Sequence, residues 1–160
     1  AGEPAGVPAG EPAGVPAGDA TGDDGREAPD GRRALLLVED DPRLRGLLER
    51  ALVRRGYVVH GAEDGVEALD FWRAHREVLD AVVSDVRMPR LAGSALAGRL
   101  RAEGWRGVTL LVSGCADEEV FDLGAAEAAD GFLEKPFTPD ELAAAIERAA
   151  ARRRGGAGRV

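Results

Sequence analysis

The sequence predicts an α/β domain built on a five-stranded parallel sheet with helices on both faces. Between residues 34 and 150, five short apolar runs of strand length alternate with segments whose apolar residues recur at helical spacing. The connections between these segments are short, so each helix leads from one strand to a parallel neighbour. This pattern is typical of a doubly wound sheet.

The first strand and the first helix follow one another closely. ALLLVE, residues 34–39, predicts a buried strand, and the segment 42–56 places its leucines on one helical face before it ends in Gly56. Asp41 precedes Pro42 at the start of this helix. Helix capping is therefore the favoured role of Asp41, and contact with a metal ion is the alternative.

The middle of the chain predicts two further strands and two further helices. The strands are YVVHGA at residues 57–62 and DAVVSD at residues 80–85. The helices cover residues 64–76 and 93–103, where apolar residues share a helical face. The third strand ends on a carboxylate, Asp85, and a Met-Pro break follows it closely.

The C-terminal part predicts strands four and five at residues 107–113 and 130–134, with a weaker helical pattern around residues 117–125 between them. The last helix begins at TPDE, in which Thr138 is the N-cap and Glu141 completes a capping box. The leucine, alanine and isoleucine residues that follow form its inner face.

The two ends of the chain differ in composition from the domain between them. Residues 1–32 are predicted to be a disordered linker, because Gly and Pro dominate and the octapeptide AGEPAGVP occurs twice without an apolar period. The folded domain is predicted over residues 33–152, and residues 153–160 are predicted to be a flexible basic tail. Because the chain begins with Ala rather than Met, we expect it to be a fragment of a longer product.

Charge and composition exclude several classes of function. A formal net charge of −8 argues against direct binding of nucleic acid, which needs clustered Lys and Arg. The single cysteine excludes an intramolecular disulfide, so a reducing, cytoplasmic location is expected. No apolar run approaches the roughly 20 residues that cross a bilayer, so no membrane contact is expected in this segment.

Polar side chains follow four of the five predicted strands, and the carboxyl ends of parallel strands meet at one edge of a sheet. These residues are Glu39, Asp40 and Asp41 at the end of strand one, Asp85 at the end of strand three, Ser113 at the end of strand four and Lys135 directly after strand five. Carboxylates held this close repel one another unless a hard divalent cation lies among them. Mg²⁺ suits such a set of oxygen ligands.

This combination of side chains favours phosphoryl transfer over acyl transfer. A carboxylate with a metal ion beside it, the ammonium of Lys135 opposite and the hydroxyl of Ser113 nearby is equipped to accept a phosphoryl group. Lys135 is the only lysine in a chain whose other cationic side chains are arginines. Its retention indicates that a compact ammonium is needed at this position.

The segment from Arg33 to Arg152 resembles the receiver domain of bacterial two-component response regulators. The matching stretches are LLLVEDDPRLR, VVSDVRMP, LLVSG and FLEKPFTPDEL, which occur in the family's order and at suitable spacing. The resemblance implies a flavodoxin-like sheet with the strand order 2-1-3-4-5.

The resemblance also implies a role for each residue at a matching position. Asp85 is expected to be the phosphoacceptor, which takes its phosphoryl group from a phosphohistidine on a histidine kinase or histidine phosphotransfer protein. Glu39 and Asp40 are expected to hold Mg²⁺ together with this aspartate and the backbone carbonyl of Arg87. Lys135 is expected to face the phosphate.

Ser113 and Phe132 match the positions that respond to phosphorylation in the family. The Ser113 hydroxyl is expected to turn toward the aspartyl phosphate, and Phe132 to change its rotamer, with core filling as an equal alternative for Phe132. The resemblance further implies a cis peptide bond between Lys135 and Pro136. Two departures from the family pattern are the Glu-Asp pair in place of Asp-Asp, which is a common variant in the family, and Cys115, where an aromatic residue is frequent.

The expected function is that of a phosphoacceptor signalling module rather than an enzyme. One alternative is a magnesium-dependent phosphatase of the haloacid dehalogenase type. That family needs a second aspartate two positions after the nucleophile, where this chain has Arg87. A second alternative is an interaction domain that is never phosphorylated.

The output of the domain is expected to be a change in its protein contacts. The stretch that follows the last predicted helix is RRRGGAGRV. This stretch is too short to form a DNA-binding helix-turn-helix. The receiver that ends a hybrid sensor histidine kinase is the favoured context, with a stand-alone regulator as the alternative. The downstream protein target stays open.

Overall fold

The computed structural model describes residues 32–114 and 128–157 of the chain. In these ranges the strands are β1 Ala34–Val38, β2 Val58–Ala62, β3 Ala81–Asp85, β4 Val108–Ser113 and β5 Gly131–Glu134. The helices are α1 Pro42–Arg54, α2 Gly65–Ala74, α3 Gly93–Ala102 and α4 Pro139–Ala157. The helix predicted around residues 117–125 lies outside the described residues, as do residues 1–31 of the predicted linker and residues 158–160.

The five strands form one parallel sheet in the order β2-β1-β3-β4-β5, which confirms the predicted fold and strand order. β1 lies between β2 and β3, and its Leu36 is opposite His60 of β2 on one side and Val82 of β3 on the other. Because all strands run the same way, the segments that follow β1, β3 and β5 leave the sheet at one edge.

The sheet separates two apolar layers. Leu36 and Val38 of β1 pack with Trp72 and Leu100 on the face that α2 and α3 cover. The neighbouring residues of β1 point to the other face, where Leu35 belongs to the cluster that α1 and α4 cover. Burial of one leucine side chain contributes roughly 1.5–3 kcal/mol, so β1 with leucines on both faces holds the layers together.

Helix α1 begins and ends as the sequence predicts. The Asp41 side chain accepts hydrogen bonds from the backbone N–H groups of Arg43, at 2.9 Å, and Leu44, at 3.4 Å. This confirms the capping role of Asp41. Gly56 follows the helix with a φ of 97°, a left-handed conformation that glycine adopts without a Cβ clash.

Helix α4 begins with the predicted capping box. The Thr138 N–H donates to Glu141 Oε1 at 2.9 Å, and the Glu141 N–H donates to Thr138 Oγ1 at 3.1 Å. The helix continues to Ala157, although the sequence indicates a domain end at residue 152. Arg153 explains the difference, because it donates to the carbonyl of Arg106 at 2.8 Å and anchors the last turns to the domain.

No described helix is long and apolar enough to cross a bilayer.

Candidate metal centre

Three carboxylates meet at the carboxyl edge of the sheet. Glu39 and Asp40 follow β1, and Asp85 ends the neighbouring strand β3. One oxygen atom from each of the three side chains lies within 4.8 Å of the others. Glu39 and Asp85 are buried, with 5% and 7% of their surface exposed, whereas Asp40 faces solvent.

The Lys135 ammonium reaches the same cluster from the end of β5. Its Nζ donates a hydrogen bond to Asp85 Oδ2 at 2.8 Å and lies 3.8 Å from Glu39 Oε1. The backbone N–H of Lys135 donates to the carbonyl of Ser113 at 2.8 Å, which ties the start of the loop to β4. The Lys135–Pro136 peptide bond is cis, as the sequence implied.

Burial and charge shift the pKa of two groups in the cluster. Burial, reinforced by the charge of Asp85, raises the pKa of Glu39 to about 7 against the lowering effects of the Asp41 N–H and Lys135. Burial alone would lower the pKa of Lys135, but the hydrogen bond and charge of Asp85, with the charges of Glu39 and Asp40, raise it. The raised pKa keeps the Lys135 side chain charged. This single ammonium faces a cluster of three carboxyl groups.

Two neighbours orient Glu39, and the sequence-based expectations included neither of them. The backbone N–H of Asp41 donates to Glu39 Oε2 at 3.1 Å. Arg45 Nη1 donates to the backbone carbonyl of Glu39 at 2.6 Å. Asp41 thus contributes to the cluster through its backbone, while its side chain caps α1. The charge pattern EDDPRLR contained the signal for Arg45, because α1 brings it back over the end of β1.

The other predicted site residues lie around this centre. Ser113 ends β4 and is buried, and Phe132 of β5 packs in part against a cluster that includes Val86 and Leu111. The Arg87 backbone N–H donates to Asp85 Oδ1 at 3.3 Å. The metal contact of the Arg87 carbonyl, the hydroxyl role of Ser113 and the rotamer change of Phe132 stay predictions. The position of Cys115 lies outside the described residues.

A salt bridge between Arg90 and Asp64 holds the loop that follows β3, and the sequence patterns did not predict it. Arg90 Nε donates to Asp64 Oδ2 at 2.8 Å and Arg90 Nη2 to Asp64 Oδ1 at 3.2 Å. Asp64 also caps α2 by accepting from the Glu67 N–H at 2.8 Å. Arg90 has a φ of 72°, an unfavourable conformation for a side chain with a Cβ. The two residues are far apart in the sequence, so no local pattern indicated their contact.

The donor set fits a hard divalent cation. Two buried carboxylates and one exposed carboxylate offer oxygen ligands on one side and an open side to water, which suits Mg²⁺. Burial first and the neighbouring Asp85 second disfavour the charged form of Glu39 and raise its pKa, while Lys135 opposes this shift. A bound dication would compensate the negative charge of the cluster.

A parallel sheet of order 2-1-3-4-5 with carboxylates and one lysine at its carboxyl edge is the arrangement expected of the receiver domains of two-component signalling. The family model described as response regulator receiver domain matches residues 35–147. The chain belongs to this family.

Two curated relatives illustrate where such domains occur. The sensor kinase CckA of Brucella abortus (strain 2308) is 40% identical over 117 residues, which cover 73% of this chain and 12% of that protein. The response regulator MprA of Mycobacterium sp. (strain KMS) is 44% identical over 113 residues, which cover 69% of this chain and 47% of that protein. The chain thus spans less than half the length of both relatives.

Solved structures agree with the fold. The response regulator TrrA from Thermotoga maritima, in complex with Mg²⁺-BeF, is 30% identical with a TM-score of 0.65, and the match covers 73% of this chain and 98% of that one. The chemotaxis response regulator CheY4 of Vibrio cholerae is 30% identical with a TM-score of 0.67, and the match covers 74% and 98%.

Proposed function

We propose that this domain is the phosphoacceptor module of a two-component phosphorelay, with Asp85 as the phosphorylated residue. The observation that carries the proposal is the hydrogen bond of 2.8 Å between Lys135 Nζ and Asp85 Oδ2, beside two further carboxylates. The domain would not turn over a separate substrate. It would accept one phosphoryl group and change its protein contacts.

The proposed donor is a phosphohistidine on a histidine kinase or a histidine phosphotransfer protein. An Asp85 oxygen attacks the phosphorus, an O–P bond forms while the P–N bond of the phosphohistidine breaks, and the leaving imidazole takes up a proton. The similarity to a sensor kinase and to a response regulator supports this class of donor. It leaves the particular kinase and the downstream protein open.

Each residue of the centre has a defined task in this transfer. Glu39 and Asp40 would hold Mg²⁺ together with Asp85, and the bound ion would supply compensation for the charge on the transferring oxygens. Lys135 already contacts the accepting carboxylate and would move its hydrogen bond to a phosphoryl oxygen. Ser113, at the end of the adjacent strand β4, would donate its hydroxyl to another such oxygen. The Mg²⁺-BeF complex of TrrA supports the same use of the site here.

Phosphorylation of the Asp85→Asn variant tests the assignment. The full chain is incubated with acetyl phosphate and Mg²⁺, and intact mass spectrometry detects the added phosphoryl group. We expect wild-type protein to gain one group, the Asn variant to gain none, and EDTA to prevent the gain. Asp70→Asn, which alters an exposed aspartate on α2, is the matched control.

Two results would contradict this assignment. Labelling of the Asn variant at the wild-type level would place the phosphoryl group on another residue. Repeated turnover of a phosphate ester would point instead to a phosphatase of the haloacid dehalogenase type.

A further inference from the structure

A second concave site lies at the opposite edge of the sheet from the carboxylates. This pocket has a volume of about 230 Å³ and lies where β1, β3 and β4 begin, against the last turns of α4. Apolar side chains of Val108, Ile146 and Ala150 contribute to its wall. Four arginines also line it, and we call it the arginine pocket: Arg33, Arg106, Arg153 and Arg154.

Two of the four arginines have carboxylate partners. Arg33 Nη1 lies 3.0 Å from Glu147 Oε1, and Arg153 Nη1 lies 3.3 Å from Asp130 Oδ1. Asp80 is the acidic residue in the lining, and its Oδ2 accepts the backbone N–H of Ala34 at 2.8 Å. These three carboxylates are therefore already engaged with groups of the domain.

The other two arginines of the pocket differ from these in the partners of their side chains. Arg106 and Arg154 are exposed at the mouth, and neither side chain forms a hydrogen bond or an ion pair within residues 32–114 and 128–157. The C-terminal turns of a helix favour cations, which accounts for arginines near the end of α4. This effect does not account for Arg106, which lies just before β4 and not on a helix.

The size and charge of the pocket limit its ligand. A volume of about 230 Å³ is below the roughly 300–1,000 Å³ of pockets for drug-sized molecules, so a dinucleotide is too large. Two guanidinium groups that have no partner among the described residues match a dianion that offers several acceptor oxygens. A phosphate monoester has this charge and geometry, and arginine binds phosphate oxygens with paired N–H donors.

We propose that the arginine pocket binds a small molecule that carries a phosphate monoester group. Arg106 and Arg154 hold the phosphate at the mouth, and the carbon skeleton packs against Val108, Ile146 and Ala150. The binding is independent of the phosphoacceptor chemistry, because no residue of the pocket belongs to the carboxylate cluster at the other edge of the sheet.

Titration of the full chain with glycerol 3-phosphate tests the proposal. Two-dimensional NMR of ¹⁵N-labelled protein, in EDTA and without phosphate buffer, reports binding residue by residue. We expect saturable shifts at Gly107, Val108 and the last turns of α4, and none with glycerol. The Arg106→Gln/Arg154→Gln double variant should bind at least about tenfold more weakly, because charge-assisted hydrogen bonds are lost.

The control is the double variant Arg50→Gln/Arg148→Gln, which removes two exposed charges outside the pocket. We expect it to bind like the wild-type protein, and both double variants to keep the wild-type spectrum elsewhere. An equal loss of affinity in both variants, or shifts confined to Asp85 and Lys135, would overturn the proposal.

The chain itself contains another source of anionic groups. Residues 1–31 include seven carboxylates and one arginine, and this segment joins the domain beside Arg33. Conversion of the four carboxylates nearest the domain to amides tests for competition: Asp23, Asp24, Glu27 and Asp30. We expect unchanged binding of glycerol 3-phosphate. A tenfold increase in the affinity for glycerol 3-phosphate would show that these carboxylates bind the arginines of the pocket in the unaltered chain. That result would overturn the small-molecule proposal.

Discussion

Lys135 is the residue on which the carboxylate cluster depends in the absence of a metal ion. Its ammonium lies 2.8 Å from Asp85 and 3.8 Å from Glu39, and both carboxylates are buried. Removal of the partner of a buried carboxylate strongly destabilises a folded protein. Lys135 is about one-third exposed, so solvent screens part of this effect here.

We expect Lys135→Met to lower the free energy of unfolding by about 1 kcal/mol in EDTA. Urea denaturation measures the change, and Lys135→Arg, which keeps the charge, should lose less. Added Mg²⁺ should recover much of the loss if the ion binds between the carboxylates. An unchanged unfolding midpoint of the Met variant in EDTA would show that the ion pair contributes no stability.

Glu39 gives the metal-free protein a distinctive pH dependence. Its pKa is raised from 4.5 to about 7 in the folded state. Between these values the folded protein holds a proton that the unfolded chain has released, so the free energy of unfolding falls as the pH rises.

We expect this contribution to be about 3 kcal/mol, present in full below the lower pKa and lost as the pH rises past the upper one. Urea denaturation in EDTA at several pH values, for wild-type protein and Glu39→Gln, isolates the effect by difference. Parallel pH profiles of the two proteins would contradict it.

At the scale of elements, the loop between β3 and α3 is held in place by Arg90 and Asp64. The salt bridge joins this loop to the start of α2, and it compensates for the left-handed backbone of Arg90. The loop begins just after Asp85, so its position bears on the geometry of the site.

Two substitutions of Arg90 distinguish the effect of the salt bridge on stability from the effect of the left-handed backbone. Arg90→Ala removes the bridge and keeps the strain, whereas Arg90→Gly removes both. We expect Arg90→Ala to be less stable than Arg90→Gly by about 1 kcal/mol, as measured by urea denaturation. Equal stability of the two variants would indicate that the loop changes its conformation once the bridge is lost.

The elements themselves were predictable from the sequence to within a residue or two at most ends, because their signals are local. Asp41, Thr138 and Glu141 cap the helices that they were predicted to cap. The extent of α4 was not predictable, since Arg152 to Arg154 followed by glycines have the composition of a tail. The contact that orders these residues comes from Arg106 and Asp130, on distant segments.

At the scale of the whole molecule, Asp130 joins three elements at the edge where the strands begin. It accepts hydrogen bonds from Arg101 of α3 at 2.8 Å, from the backbone N–H of Thr109 in β4 at 2.8 Å and from Arg153 of α4 at 3.3 Å. Arg101 in turn donates to three backbone carbonyls of the surrounding loops.

We expect Asp130→Asn to lower the free energy of unfolding by about 2 kcal/mol, because charge-assisted hydrogen bonds are lost from a largely buried group. Hydrogen exchange should also become faster in the last turns of α4. Phosphorylation of Asp85 should persist, since the two aspartates lie at opposite edges of the sheet. The same Asp70→Asn variant serves as the control, and an equal loss of stability there would contradict the prediction.

The strand order was implied by the resemblance to receiver domains, and the meeting of Glu39, Asp40, Asp85 and Lys135 was predictable because parallel topology brings strand ends together. Contacts between side chains that are far apart in sequence were not. The Arg90–Asp64 bridge and the arginine pocket both depend on how helices and loops pack against the sheet. No periodicity or motif in the sequence encodes that packing.

The parallel sheet has a consequence for how the domain meets other molecules. Three carboxylates gather where the described strands end, and four arginines line a pocket where they begin, so the two edges of the sheet offer different charged groups to a partner. A partner with a cationic docking surface would be attracted to the edge of the sheet that holds Asp85. Productive encounters would then be more frequent in dilute salt, where screening does not erase this attraction.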